Sequence, residues 1–195
     1  MSESKLRNDA LAVFQAGVQA ANPVEAVEQH VTREGDTLIV DGHPYPLAKI
    51  DNIYLIGMGK ASAVMAKPLT SILGDRISGG IINVKHGHRF PLAGIRVIEA
   101  GHPLPDEGGL RGTKEILQLV AESGPRDLVF CLISGGGSAL LPCPAPGLSL
   151  EDKLEPIKVL HSGGASEYVG LRLQSLRSLV VYPALGRALA ERASD

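Results

Sequence analysis

Ile53-Tyr54-Leu55-Ile56-Gly57-Met58-Gly59-Lys60-Ala61-Ser62-Ala63-Val64-Met65-Ala66 decides the fold of this chain. Its first four residues are apolar without alternation, as in a strand buried on both faces of a parallel sheet. Two glycines punctuate the run, and residues 60–66 then read as a helix. The pattern returns at Asp127-Leu128-Val129-Phe130-Cys131-Leu132-Ile133, which runs into Ser134-Gly135-Gly136-Gly137-Ser138-Ala139. Between them, 78–84 and 95–99 read as strands, and 107 to about 123 as a helix with Leu110, Ile116, Leu117 and Val120 on its apolar side. Strand, glycine turn, helix, strand is the signature of a doubly wound α/β fold, a mainly parallel sheet with helices on both faces. Ligands in such sheets bind at the carboxyl ends of the strands, where both glycine loops fall.

Ahead of this unit, residues 4–21 predict an amphipathic helix, with Leu6, Ala10, Val13, Phe14, Gly17, Val18 and Ala21 at three- and four-residue steps. Asn22-Pro23 breaks it, and Pro23 opens a short helix to about Val31. Two short strands, 37–40 and 45–47, follow around Asp41-Gly42-His43. Pro142, Pro144, Pro146 and Gly147 form a loop, and 171–193 has helical potential interrupted at Pro183.

Among 195 residues, 44% are hydrophobic and 21% charged, the balance of a globular protein with a core, and the absence of Trp leaves that core to aliphatic side chains. The net charge is −2, with basic residues dispersed, which argues against a nucleic-acid surface. Cys131 and Cys143, twelve apart, match no zinc spacing, and Cys131 reads as a buried small hydrophobe. No disulfide framework is implied, the first residues lack the apolar core of a signal peptide, and no stretch approaches the roughly 20 apolar residues of a membrane span. The expectation is a cytoplasmic protein.

Chemistry concentrates in three loops. In Gly57-Met58-Gly59-Lys60, the glycines let backbone amides approach an anion, and the following helix adds a positive dipole end. Lys60 is unfavourable there unless an anion joins it. The same residues also fit a tight turn with Lys60 in solvent; the segment is neither a Walker loop nor a complete dinucleotide fingerprint. Ser134-Gly135-Gly136-Gly137-Ser138 resembles an anion nest with two hydroxyls, and also fits a hinge. In Ala100-Gly101-His102-Pro103-Leu104-Pro105-Asp106, Asp106 is placed to cap the helix starting near Glu107, and His102 would project near a strand end, where it fits binding substrate hydroxyls, positioning a metal, or a proline-stiffened turn. Lys85-His86-Gly87-His88-Arg89 reads as a solvated loop or a basic rim, with no metal-ligand set around it.

These loops, together with residues 9–18 and the run Leu132-Ile133-Ser134-Gly135-Gly136-Gly137-Ser138-Ala139-Leu140-Leu141, resemble in register the bacterial and archaeal glycerate 2-kinases, often labelled hydroxypyruvate reductase. The resemblance spans about Leu6 to about Ser162. It implies a Rossmann-like N-terminal domain over 1–162, with a cleft shared with a second, C-terminal domain. It implies phosphoryl transfer from ATP, with Mg2+, to D-glycerate, giving 2-phosphoglycerate. Lys60 is then the catalytic cation, Gly57, Gly59, Ser134, Gly135, Gly136, Gly137 and Ser138 form the nucleotide-binding loops, and His102 meets substrate. Noncatalytic anion or nucleotide binding, and reduction of hydroxypyruvate, are the competing functions. The reductase reading is the weaker, because Ser62 stands where the fingerprint has its third glycine.

Members of that family continue well past this length, and the match is lost after Leu160-His161-Ser162-Gly163-Gly164-Ala165. Residues 163–195 form an atypical tail, in which Ser166 onward fits nothing in the family and the terminal 30 residues are rich in Leu, Arg and Ser. A reading-frame shift near Gly163–Gly164 is the expectation, a truncated domain the competing one. Either removes half the cleft, so the chain alone is expected to turn over negligibly, and its exposed interface favours self-association as a homodimer.

Overall fold

The computed structural model describes residues 3–162, with nothing stated for the side chains of 159–162; the reading of 171–193 lies outside them. At the centre is a four-stranded, wholly parallel sheet of β4 (Ile53–Met58), β5 (Ile77–Lys85), β6 (Ile95–Ala100) and β7 (Leu128–Ile133), in the order β6-β5-β4-β7. This is the Rossmann-like doubly wound arrangement. The chain winds outward from β4 through β5 to β6, then crosses back to place β7 on the other side of β4.

One face of the sheet is covered by α3 (Ser62–Leu73). Leu55, Ile82, Val84 and Leu132 of the sheet pack there with Ala63, Ala66, Leu69 and Leu73. α4 (Glu107–Glu122) covers the other face, where Ile116 and Val120 meet Ile56 and Met58. Alternate residues of β4 therefore serve different cores, which is why the strand needs an unbroken apolar run. Burying such a side chain contributes about 1.5–3 kcal/mol.

Before the sheet come α1 (Glu3–Ala20), α2 (Pro23–His30) and an antiparallel meander of β1 (Val31–Glu34), β2 (Thr37–Val40) and β3 (His43–Pro46). Asn22 caps α2 by accepting the Val24 amide, with Pro23 in the first turn as the sequence predicts. The helix ends at His30 because Val31 turns extended and pairs with Val40, so a third strand joins the two read from sequence. α1 buries none of its residues; Val13 and Phe14 stand 74% and 67% exposed. Beyond β7 come α5 (Gly137–Leu140) and α6 (Leu150–Ser162), with Leu150, Leu154 and Ile157 of the latter buried. No helix of the described residues is long and apolar enough to cross a membrane.

The two sheet edges differ. β6 carries Arg96 and Glu99, and Leu92 bridges back to Ile95 beside it. β7 has no charged residue, and Ile133 is 44% exposed. Cys131, half-buried on β7, is a free thiol whose pKa burial pushes up to about 11; Cys143 is also free.

Candidate functional site

Register brings the loops together. Met58 lies beside Ile133 on one side and Asn83 on the other, so the chain leaves β4 and β7 at the same level and at the same edge. This is the topological switch point, where successive connections depart to opposite faces and open a crevice. β6 ends at Ala100, beside Lys85, and delivers Gly101 and His102 to that edge.

The two glycine loops are hydrogen-bonded to each other. The Ser134 amide donates to Met58 O at 3.0 Å, the Lys60 amide to Gly135 O at 3.1 Å, and the Ala61 amide to Ser134 Oγ at 2.9 Å. The last bond caps α3 from outside: Ala61, at its N-cap, makes no side-chain cap of its own. The Gly59 amide donates to Asn83 O at 3.1 Å, and the Ser62 hydroxyl to Gly59 O at 2.8 Å. Gly59 has φ +130°, and a Cβ there would fall on Ser134 Oγ and 2.6 Å from Ser134 O. Only glycine allows that approach.

The first loop therefore uses the amides of residues 59–61 within the protein. Gly57 lies inside β4, buried, where a Cβ would press on Leu132 O at 3.0 Å and Ser62 Cβ at 3.2 Å; it spaces the strand. What this loop presents outward is the exposed side chain of Lys60, which no carboxylate pairs with among the described residues.

The second loop is the converse. The Gly137 amide bonds Ser134 O, and those of Ala139 and Leu140 turn back to Gly136 O. Those of Gly135, Gly136 and Ser138 have no protein acceptor among the described residues. Gly136 has φ +89°; a Cβ there would lie 2.6 Å from His102 Nε2 and 3.3 Å from Lys60 Cε. The imidazole of His102 and the stem of Lys60 thus meet at Gly136, within the loop whose amides remain open. Successive amides of this kind, beside a left-handed glycine, form an anion-binding concavity.

Asp106 caps α4 as its position predicts, accepting the Gly109 amide at 2.9 Å, and its other oxygen holds His86 Nε2 at 2.8 Å. Burial opposes its ionisation, but the amides of Gly109 and Gly101 and the His86 ring outweigh it and hold the carboxyl below its ordinary range. His86 is thereby turned to Asp106, and the Gly87 amide is bound by Glu99 at 2.7 Å, so the 85–89 loop is a folded, exposed turn.

One polar residue of the site escaped sequence reading. Asn83 is fully buried in β5, level with Met58. Its signal was available: a lone amide inside Ile81-Ile82-Asn83-Val84 needs partners of its own.

Among the described residues, no group of three or more His, Cys, Asp or Glu side chains is placed to hold a metal ion.

Residues 9–167 match the family described as "Domain of unknown function (DUF4147)". The chain is 40% identical over 159 residues to glycerate 2-kinase of Pyrococcus horikoshii, covering 81% of itself and 35% of that protein. It is 45% identical over 112 residues to a putative hydroxypyruvate reductase of Agrobacterium vitis, covering 57% of itself and 29% of the relative. The crystal structure of glycerate kinase from Thermotoga maritima superposes with a TM-score of 0.66 at 32% identity, over 84% of this chain and 36% of that one. The chain thus spans about a third of the length of these relatives. With four-fifths of its residues inside one family match, and a solved relative sharing its fold, the chain belongs to the DUF4147 family.

Proposed function

We propose that residues 1–162 form the phosphate-gripping domain of a cytoplasmic glycerate 2-kinase, in which phosphate passes from ATP to D-glycerate to give 2-phosphoglycerate. The observation that carries this is the meeting of Lys60, His102 and three open amides around Gly136 at the switch point. ATP, when bound, supplies the phosphoryl group. The amides of Gly135, Gly136 and Ser138 hold phosphate oxygens, while Ser134 and Gly137 shape the loop that aims them. The Lys60 ammonium balances charge on the oxygens that the transfer loads. His102, beside Gly136, orients the glycerate. Gly57 and Gly59 act by spacing.

Among the described residues no group of three or more His, Cys, Asp or Glu side chains is placed to hold Mg2+. That ion binds nucleotides mainly through phosphates and waters, with one or two carboxylates, and no protein ligand is assigned to it here.

Hydroxypyruvate reduction fits less well. A dinucleotide pyrophosphate sits on the amides after the first strand, and here those of Gly59, Lys60 and Ala61 are already engaged.

Because the chain spans about a third of its relatives, we expect it to bind nucleotide with negligible turnover, the remaining catalytic groups lying beyond this length. The uncharged β7 edge and the apolar side of α1 favour self-association as a homodimer, which sedimentation reads directly. ADP binding by calorimetry, beside a coupled assay of ADP release from ATP with D-glycerate, tests the function. Micromolar-to-millimolar ADP binding that Lys60→Ala weakens supports it; absence of binding refutes it. Turnover that Lys60→Ala abolishes would refute the expectation of inactivity.

A further inference from the structure

We infer that Asn83 is a positioning residue for the anion cradle, an inference that rests on the reading of residues 135–138 as that cradle. Three separate elements converge on this one side chain and its peptide. Its amide nitrogen donates to Leu140 O at 2.8 Å and to Gly109 O at 3.2 Å. Its carbonyl accepts the Gly59 amide at 3.1 Å. Asn83 thereby joins the C-terminal end of α5, the first turn of α4 and the first glycine loop.

The surroundings are shaped to admit it. A Cβ on Gly112 would fall on Asn83 Oδ1, so α4 carries glycine where it crosses the amide. A Cβ built on Gly109 would lie 2.9 Å from the Pro142 ring and 3.3 Å from Leu140 O. Asn83 Oδ1 is itself buried without a partner among the described residues. A buried amide with an unmet acceptor is costly where an aliphatic residue would pack, and both of its donor hydrogens go to carbonyls of the site.

The consequence runs through α5. This four-residue helix begins at Gly137 and is held at its far end by the Leu140 carbonyl on Asn83. The amides of Leu140 and Leu141 return to Gly136 O and Gly137 O. Fixing Leu140 therefore fixes the Gly136–Gly137 and Gly137–Ser138 peptides: the second carries the Ser138 amide, and the first, through the Gly137 amide on Ser134 O, holds the peptide that carries the Gly135 amide.

The test compares Asn83→Leu, which removes both donors at similar volume, with Asn83→Thr, which keeps one hydroxyl donor. Val120→Ala, in the α4 core near the C-terminal end of that helix and with no bond to Asn83, serves as a stability-matched control. Inorganic phosphate is titrated onto the 15N-labelled chain, and amide shifts and hydrogen exchange are also recorded without ligand. Asn83→Leu is expected to weaken phosphate binding about tenfold or more, to shift the 135–138 amides in the free protein, and to speed exchange at Leu140 and Leu141. Asn83→Thr should fall between it and the parent, and Val120→Ala should lose melting temperature with none of these changes. Equal weakening by Val120→Ala, or an unchanged loop in Asn83→Leu, overturns the inference. If the parent binds no phosphate, the proposed function fails, and the ligand-free spectra alone decide whether Asn83 sets the loop. Should Asn83→Leu not fold, Asn83→Thr carries the same comparison.

Discussion

Two glycine loops lie side by side at one sheet edge, and they use their glycines oppositely. The first, 57–60, has glycines so that two backbones can touch: Gly59 presses on Ser134, and the amides of 59–61 bond within the protein. The second, 134–138, has glycines so that the chain can turn without closing on itself, leaving three amides with no acceptor among the described residues, beside His102 and Lys60. A glycine run after a buried strand thus has two readings, and the hydrogen-bond account of the loop separates them. The first loop is a structural clasp carrying one ammonium group. The second is the loop we propose as the anion nest.

The sharpest way to break this contrast is Gly59→Ala. With φ +130° and a Cβ driven into the Ser134 backbone, we expect a loss of about 3–4 kcal/mol in stability by urea unfolding. A loss under about 1 kcal/mol would mean that the clasp is loose. Gly136→Ala should act on the other quantity. Its left-handed φ and the neighbouring His102 lead us to expect about thirtyfold weaker ADP binding by calorimetry. Lys60→Ala should weaken ADP about tenfold while leaving stability within about 0.5 kcal/mol, since the side chain is exposed. Ser134→Ala removes the acceptor of the Ala61 amide and should cost about 1 kcal/mol of stability, with ADP affinity nearly kept.

The smallest effect is a pH dependence away from both loops. Asp106 ionises more readily folded than unfolded, because Gly109, Gly101 and His86 donate to it. Its contribution is therefore fully present above the ordinary aspartate range, and is lost as pH falls through the lowered folded value. Asp106→Asn should be less stable than the parent at neutral pH, and the gap should narrow below about pH 4. A gap constant down to pH 2 would mean that the charge is irrelevant to the cap.

Much of the fold was legible because buried parallel strands need long apolar runs. Residues 53–56 and 127–133 announced themselves in this way, and Asp106 was identifiable as a cap from its place before Glu107. β1 was not, because Val31-Thr32-Arg33-Glu34 is a polar strand, set by its register with β2. α5 was hidden by its glycine, and α6 by the loop prolines before it. Within the site, the meeting of the loops follows from the winding order, which sequence suggests. Which amides stay open does not, because it depends on bonds such as Ala61 to Ser134, between residues 73 apart. Asn83 was legible as an oddity in an apolar strand, but its partners at 109 and 140 come only with the fold.

The most direct test is a 15N-resolved titration of the chain with ADP. The account predicts that the amides of Gly135, Gly136 and Ser138 move, and that those of Gly59, Lys60 and Ala61 stay near their free positions. Movement centred on residues 59–61 with a silent 135–138 segment would contradict it.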